Sequence, residues 1–320
     1  MKITHSIPVV LTLAGALVAP ATAGAQNIGS ALSRTVPFPV ADVPWGPGEE
    51  MNYKVEWGIF GEVGYGRLSV APLDSMHGHP TYNIKLEIKG GVMFAKVNDL
   101  LQTWLDVSTL VSRRSDQKKH EVNYKRHRIT DFFPEEGRWD EITNENNDGE
   151  LATDEPLDDI SFLYFVRTLP LKVGDHYEFN RYWKDDGNPV VVNVLRKDSL
   201  RIGDDTYRTI VVQPIVQTDG IFSDGGEAEV HYTDDDRRLV VHLRAKMSIG
   251  TLKMWLEDYT PGRKLVSSVR SDDGDEEVDG WARTAGDEPI PVPLPDSTLP
   301  AFFRSPPFAP EPAPEPEPGA

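Results

Sequence analysis

Met51-Asn52-Tyr53-Lys54-Val55-Glu56-Trp57 alternates apolar and polar residues along its whole length. Side chains of an extended backbone point to opposite faces in turn, so a period of two marks a half-buried β-strand. Tyr82, Ile84, Leu86 and Ile88 repeat the pattern against Asn83, Lys85, Glu87 and Lys89. Further strand-like runs are Val63–Ala71, Leu100–Val107, Glu121–Phe133, Tyr177–Trp183, Val190–Leu195, Tyr207–Gln217, Glu227–Tyr232, Leu239–Met247 and Leu252–Tyr259. Turn signals separate them, among them His77-Gly78-His79-Pro80, Glu135-Glu136-Gly137, Asp185-Asp186-Gly187-Asn188-Pro189, Gly203-Asp204-Asp205 and Asp234-Asp235-Asp236. Such short connections join antiparallel neighbours, because parallel strands need long crossovers.

One segment breaks the period. Pro156-Leu157-Asp158-Asp159-Ile160-Ser161-Phe162-Leu163-Tyr164-Phe165-Val166-Arg167 has acids in its first turn and no internal Gly or Pro, with Pro170 just beyond its end. These are helix start and stop signals. The spacing predicts a helix over 157–168 with Ile160, Leu163, Tyr164 and Arg167 on one face. An arginine brought against an apolar surface needs a carboxylate or carbonyl partner. The expected fold class is all-β and mainly antiparallel: a strongly curved sheet or partly open β-barrel of about 11 strands with one helix packed on it. The helix is either a lid on the core or a gate to a cavity.

Residues outside the strand pattern set the organisation. Lys2, an apolar run from Ile7 to Ala19 and the small residues Ala23-Gly24-Ala25 read as a Sec-type signal cleaved after Ala25, which makes the chain periplasmic or exported. Its apolar run is too short for the roughly 20 residues of a spanning helix, so no transmembrane span is expected. Residues 26–44 read as an N-terminal arm, 45–262 as the folded unit and 263–320 as an acidic, Pro-rich disordered tail. From Pro289 to Pro318 lie 12 of the 26 prolines, a composition that cannot bury enough surface to offset its ordering entropy. The formal charge of −18 argues against nucleic acid as a partner. The absence of cysteine excludes disulfides, a thiol nucleophile and a lipid-modified N-terminal cysteine.

Three stretches carry a family resemblance: "GPGEEMNYKVEWGIFGEVGYGRLSV" from Gly46, "LDDISFLYFVRTLPLKVGD" from Leu157, and the closing strands from Tyr207 to Tyr259. Together they resemble the bacterial family called domain of unknown function 3108 (DUF3108). The resemblance implies an exported, mostly antiparallel β domain. It implies no catalytic residues, because the family has no established activity.

Few motifs point to chemistry. Gly58, Gly61, Gly64 and Gly66 lie between and inside strand patterns, whereas a dinucleotide loop must lead into a helix. Asn144, Asn146, Asp148 and Glu155 have the spacing of a calcium loop, but the first ligand is Asn and Pro156 follows Glu155, which leaves a polar loop as the preferred reading. His77 and His79 could hold a metal only with a third ligand, and none is assigned. Neither HExxH nor GxSxG occurs. No cofactor and no metal are expected.

Two surfaces remain as candidates. Arg113, Arg114, Lys118, Lys119, Lys125, Arg126 and Arg128 form a local basic patch, read either as a solvated edge hairpin or as contact with an anionic surface. Trp57, Phe94, Trp104, Tyr164, Arg167 and Trp183 are the candidate ligand-binding residues, should the concavity of the sheet stay open as an apolar pocket. Gly90-Gly91-Val92-Met93-Phe94 is then a lip on that pocket or a simple cap. The reading reached is an exported envelope protein without catalytic activity, a binding or assembly module for a lipid or other apolar or amphiphilic molecule, or for an envelope protein. The alternatives are a hydrolase with a site assembled across strands and an interaction scaffold using the acidic tail. An empty apolar cavity supports the first, converging polar residues the second, and a filled barrel the third.

Overall fold

The computed structural model describes residues 33–92, 95–121, 124–143, 147–217, 222, 228–246 and 250–269. The expected signal segment, the chain from 270 onward, Phe94, and Asn144 and Asn146 of the polar loop lie outside them.

The strands are β1 (Ser33–Val36), β2 (Glu50–Trp57), β3 (Glu62–Val70), β4 (Asp74–Met76), β5 (His79–Val92), β6 (Ala95–Asp106), β7 (Ser112–Glu121), β8 (Tyr124–Phe133), β9 (Arg138–Glu141), β10 (Asp148–Glu150), β11 (His176–Phe179), β12 (Val190–Ile202), β13 (Asp205–Ile215), β14 (Glu229–Thr233), β15 (Val240–Lys246), β16 (Thr251–Thr260) and β17 (Lys264–Ser267). The helix α1 (Asp159–Phe165) is extended by a 3-10 turn, Val166–Thr168. Fifteen strands form one antiparallel sheet in the order β10-β9-β8-β7-β6-β5-β3-β2-β16-β15-β14-β13-β12-β11, with β4 beside β5.

Register explains which residues became core. Val194, Val212, Val230, Leu243, Met254 and Val55 stand opposite one another across successive ladders and are all buried. This row faces the concavity. The neighbouring row, His231, His242, Trp255 and Lys54, faces outward. The inner row reaches Gly64 opposite Gly90, and a Cβ on Gly64 would lie 2.1 Å from the Lys89 carbonyl oxygen. Glycine at both positions lets β3 and β5 approach so closely there, which suits a strongly coiled sheet.

The sheet stays open as a ladder. Its terminal strands β10 and β11 are bridged by loops: the Leu157 amide donates to Arg181 O (2.7 Å), and the Ala152 amide to Trp183 O (3.2 Å). The helix fills the concavity. Ile160, Leu163, Tyr164 and Arg167 are 0–3% exposed, and so are Ser161 and Phe162 on the other side of α1. The expected one-sided packing is thus exceeded, because the curved sheet wraps around the helix. Tyr232 of β14 donates to Leu163 O (3.1 Å), Ser112 of β7 to Ser161 Oγ (2.8 Å), and Phe162 packs edge-on to Phe222 at 6.1 Å.

The ordered chain runs past both boundaries expected at 45 and 262. β1 and β17 pair in parallel, and Val36 and Leu265 enter the core. Four residues each are too few to show a periodicity. Gly46 and Gly262 bring these segments together: a Cβ on Gly262 would lie 2.1 Å from the Gly46 carbonyl oxygen.

Candidate functional site

Three clusters of functional side chains stand out, and the first fixes the helix. Gly48 takes φ +89°, the left-handed region open to glycine, and the turn it closes is tied by Gly48 N to Val70 O (2.8 Å). Glu49 follows directly and points inward at 1% exposure. Arg167 meets it in a bidentate pair, Nη1 to Oε1 at 2.6 Å and Nη2 to Oε2 at 3.0 Å. Nη2 also donates to Arg237 O at 3.0 Å. The guanidinium lies over the rings of Trp45 (5.3 Å) and Tyr164 (4.9 Å). Burial disfavours the Arg167 charge, but Glu49 outweighs it and holds the guanidinium more basic than usual. The arginine therefore has both a carboxylate and a carbonyl partner, as its position on an apolar helix face requires.

The second cluster surrounds the start of α1. Asp158 Oδ1 accepts from the Ile160 and Ser161 amides (2.9 and 3.0 Å), and Ser161 Oγ accepts from the Asp158 amide, a reciprocal capping box. Both acids are buried. Burial and the neighbouring Asp158 charge push Asp159 up to about 6, against the pull of Lys119 and Arg128. Two of the seven basic candidates thus face the helix acids from the inner side of β7 and β8. This polar group is closed, with Asp158 at 2% and Asp159 at 7% exposure, and presents no cleft to a substrate.

The remaining basic candidates separate along the strands. Arg113 is 3% exposed and pairs with Asp106 (3.0 Å) and Glu135 (2.7 Å). Arg114 pairs with both Asp131 oxygens and lies over Trp104 at 5.9 Å. These two arginines sit at the end of β7 away from its hairpin tip and are held by acids. Lys118, Lys125 and Arg126 are exposed near the β7–β8 tip. There β8 outruns β9, which pairs only with Thr130–Phe133, so the patch borders an open sheet edge.

The five described ligand-binding candidates do not share one lining. Tyr164 and Arg167 belong to the Glu49 cluster. Trp183 is 4% exposed, packed edge-on to Trp139 at 5.0 Å with Lys184 Nζ 4.5 Å from its ring centre. Trp104 lies on the outer face, its Nε1 donating to Asp74 Oδ2 at 2.8 Å. Trp57 is half-buried at the β2–β3 end. Sequence reasoning missed Glu49, Asp106 and Asp131; an arginine on an apolar face was the signal that a buried acid had to exist elsewhere.

A third cluster lies outside the sheet. The β12–β13 hairpin tip covers part of β2 and β16 and leaves a cleft of about 550 Å³ lined by Lys54, Glu56, Arg201, Tyr207, Trp255 and Glu257 among others. Trp255 stacks on His242 at 3.6 Å, and His242 Nδ1 donates to Met254 O at 2.8 Å. Burial keeps His242 neutral, its pKa lowered to about 4. Two cations (Lys54, Arg201) stand against three acids (Glu56, Asp205, Glu257) around the cleft, so it offers no excess positive charge to an anionic ligand. No group of three metal-ligating His, Cys, Asp or Glu side chains occurs among the described residues.

A model of the family described as "Protein of unknown function (DUF3108)" matches residues 52–257. The chain belongs to the DUF3108 family. That span runs from β2 through the helix to β16, so it takes in the plugged sheet. No curated protein matches the chain. Among solved structures, it is similar to a crystal structure of a beta-barrel-like protein of domain of unknown function DUF1849 from Brucella abortus. Identity is 9%, coverage 69% of this chain and 99% of that one, and the TM-score 0.45. This DUF3108 chain has no helix among its described residues that is long and apolar enough to cross a membrane.

Proposed function

We propose that this DUF3108 protein is an exported, non-catalytic assembly module of the cell envelope that works through its outer surfaces and does not enclose a ligand. The observation carrying this reading is the plug: α1 is buried on nearly all sides and locked by the Glu49–Arg167 pair, so side chains occupy the concavity where a carried lipid would sit. Of the two buried acids at the helix start, Asp158 serves the capping box and Asp159 is enclosed at 7% exposure, which favours this reading over a hydrolase. The envelope location rests on the signal-like composition of residues 1–25, Lys2 followed by the apolar run and Ala23-Gly24-Ala25. Titration with a fluorescent fatty acid tests the proposal. It predicts no saturable one-to-one uptake. Saturable uptake that changes in Tyr164→Ala while the fold persists would replace the module with a carrier whose helix is a gate.

A further inference from the structure

The hairpins β2–β3, β5–β6 and β7–β8 are neighbours in the sheet order β8-β7-β6-β5-β3-β2, so all three tips emerge along the same rim. With strands about 4.8 Å apart, successive tips lie roughly 10 Å from one another. The first is apolar and fully presented. Gly58 (φ +51°) and Gly61 (φ +69°) bracket a single 3-10 turn that leaves Ile59 96% and Phe60 61% exposed, with Tyr65 at 52% on the adjoining strand. Burying either side chain would be favourable by about 1.5–3 kcal/mol, so an isoleucine left almost wholly in water at this turn is suited to a surface that takes it up. Further along the same rim are cations: Lys96 at the start of β6, Lys118 at the end of β7, and Lys125 and Arg126 at the start of β8, all exposed. Among the acids near this edge, Asp116 pairs with Lys118 at 3.4 Å and Asp99 is buried, accepting from the His120 amide. Glu62 and Glu121 then stand beside the exposed Lys96, Lys125 and Arg126, so the rim keeps a small positive excess in a chain of net charge −18.

An exposed apolar tip beside clustered Lys and Arg is the composition that inserts at a bilayer interface and contacts anionic headgroups. Screening confines the repulsion from the acidic remainder to roughly 8 Å, so the local sign of the rim decides the contact. We infer that this rim docks on an anionic lipid bilayer, with Ile59 and Phe60 entering the headgroup boundary and Lys96, Lys118, Lys125 and Arg126 lying against the phosphates. The inference rests on the surface-acting reading above and specifies its partner.

Vesicle co-sedimentation tests it, using the full chain from Gln26 onward with phosphatidylcholine vesicles and with phosphatidylcholine containing phosphatidylglycerol. The protein should sediment with the anionic vesicles and stay in solution with the neutral ones. Ile59→Asn/Phe60→Asn and Lys125→Glu/Arg126→Glu should each weaken binding by more than about tenfold. Both change only exposed positions, so their melting temperatures should match the parent. No anionic-lipid dependence, or unchanged binding by either pair, would overturn the inference. Loss of vesicle binding together with retention of an acidic protein would reassign the rim and leave the surface-acting reading standing. Saturable fatty-acid uptake would instead sink that reading itself.

Discussion

Glu49 and Arg167 have 0% exposed side chains, so each exists as an ion only because of the other. Removing one partner leaves an uncompensated buried charge, which costs about 3–5 kcal/mol. Glu49→Gln and Arg167→Met should each destabilise by that order in denaturant unfolding. The double variant should lose much less than the sum, because no charge is left unpaired. Two other buried groups give the molecule opposing pH responses. The unfolded chain protonates His242 near 6.5, whereas the folded protein resists until about 4. The unfolded state therefore binds more protons across that window, and stability falls as pH drops through it. Asp159 behaves oppositely: its folded pKa of about 6 lies above the ordinary 3.8, so its contribution falls as pH rises from about 4 to 6. In melting temperature against pH, His242→Phe should flatten the acid-side loss. Asp159→Asn should raise stability at pH 7. The reverse order of effects would show that these environments are misassigned.

Elements differ in how much of them the sequence disclosed. β2, β5 and β16 were legible because each buries one face, and that burial writes a period of two. The helix was legible from its acids, its prolines and its unbroken apolar run. β7 was not: Ser-Arg-Arg-Ser-Asp-Gln-Lys-Lys-His-Glu has no apolar residue. Of its inward positions, Ser115 lies opposite Thr103, Gln117 accepts from Arg128 of β8 (3.3 Å) and Lys119 acts on the helix acid Asp159, so polar residues there find polar partners. The candidate site was less legible than the fold, since Glu49 and Arg167 are 118 positions apart and meet only after folding. Leu163→Ala should cost about 2–5 kcal/mol, because the helix is enclosed and its surroundings have little room to collapse. Removing residues 270–320 should leave the melting temperature within about 5 °C of the parent. Cutting after Gly262 should lower it further, since it deletes β17 and the buried Leu265. Equal effects of the two cuts would show that the β1–β17 ladder contributes nothing.

At the scale of the whole molecule, the sheet wraps its concave face around one helix, and its outer face and hairpin tips are the surfaces the proposed docking would use. The apolar turn at Ile59 and the basic end of the β7–β8 hairpin are exposed for the same topological reason: adjacent antiparallel hairpins turn at one rim. The claim joining these scales is that the interior is closed. Native mass spectrometry of the protein purified without detergent from its host tests this most directly. The account predicts the mass of the polypeptide alone. A stoichiometric lipid or other apolar molecule that stays bound until the chain unfolds would contradict it.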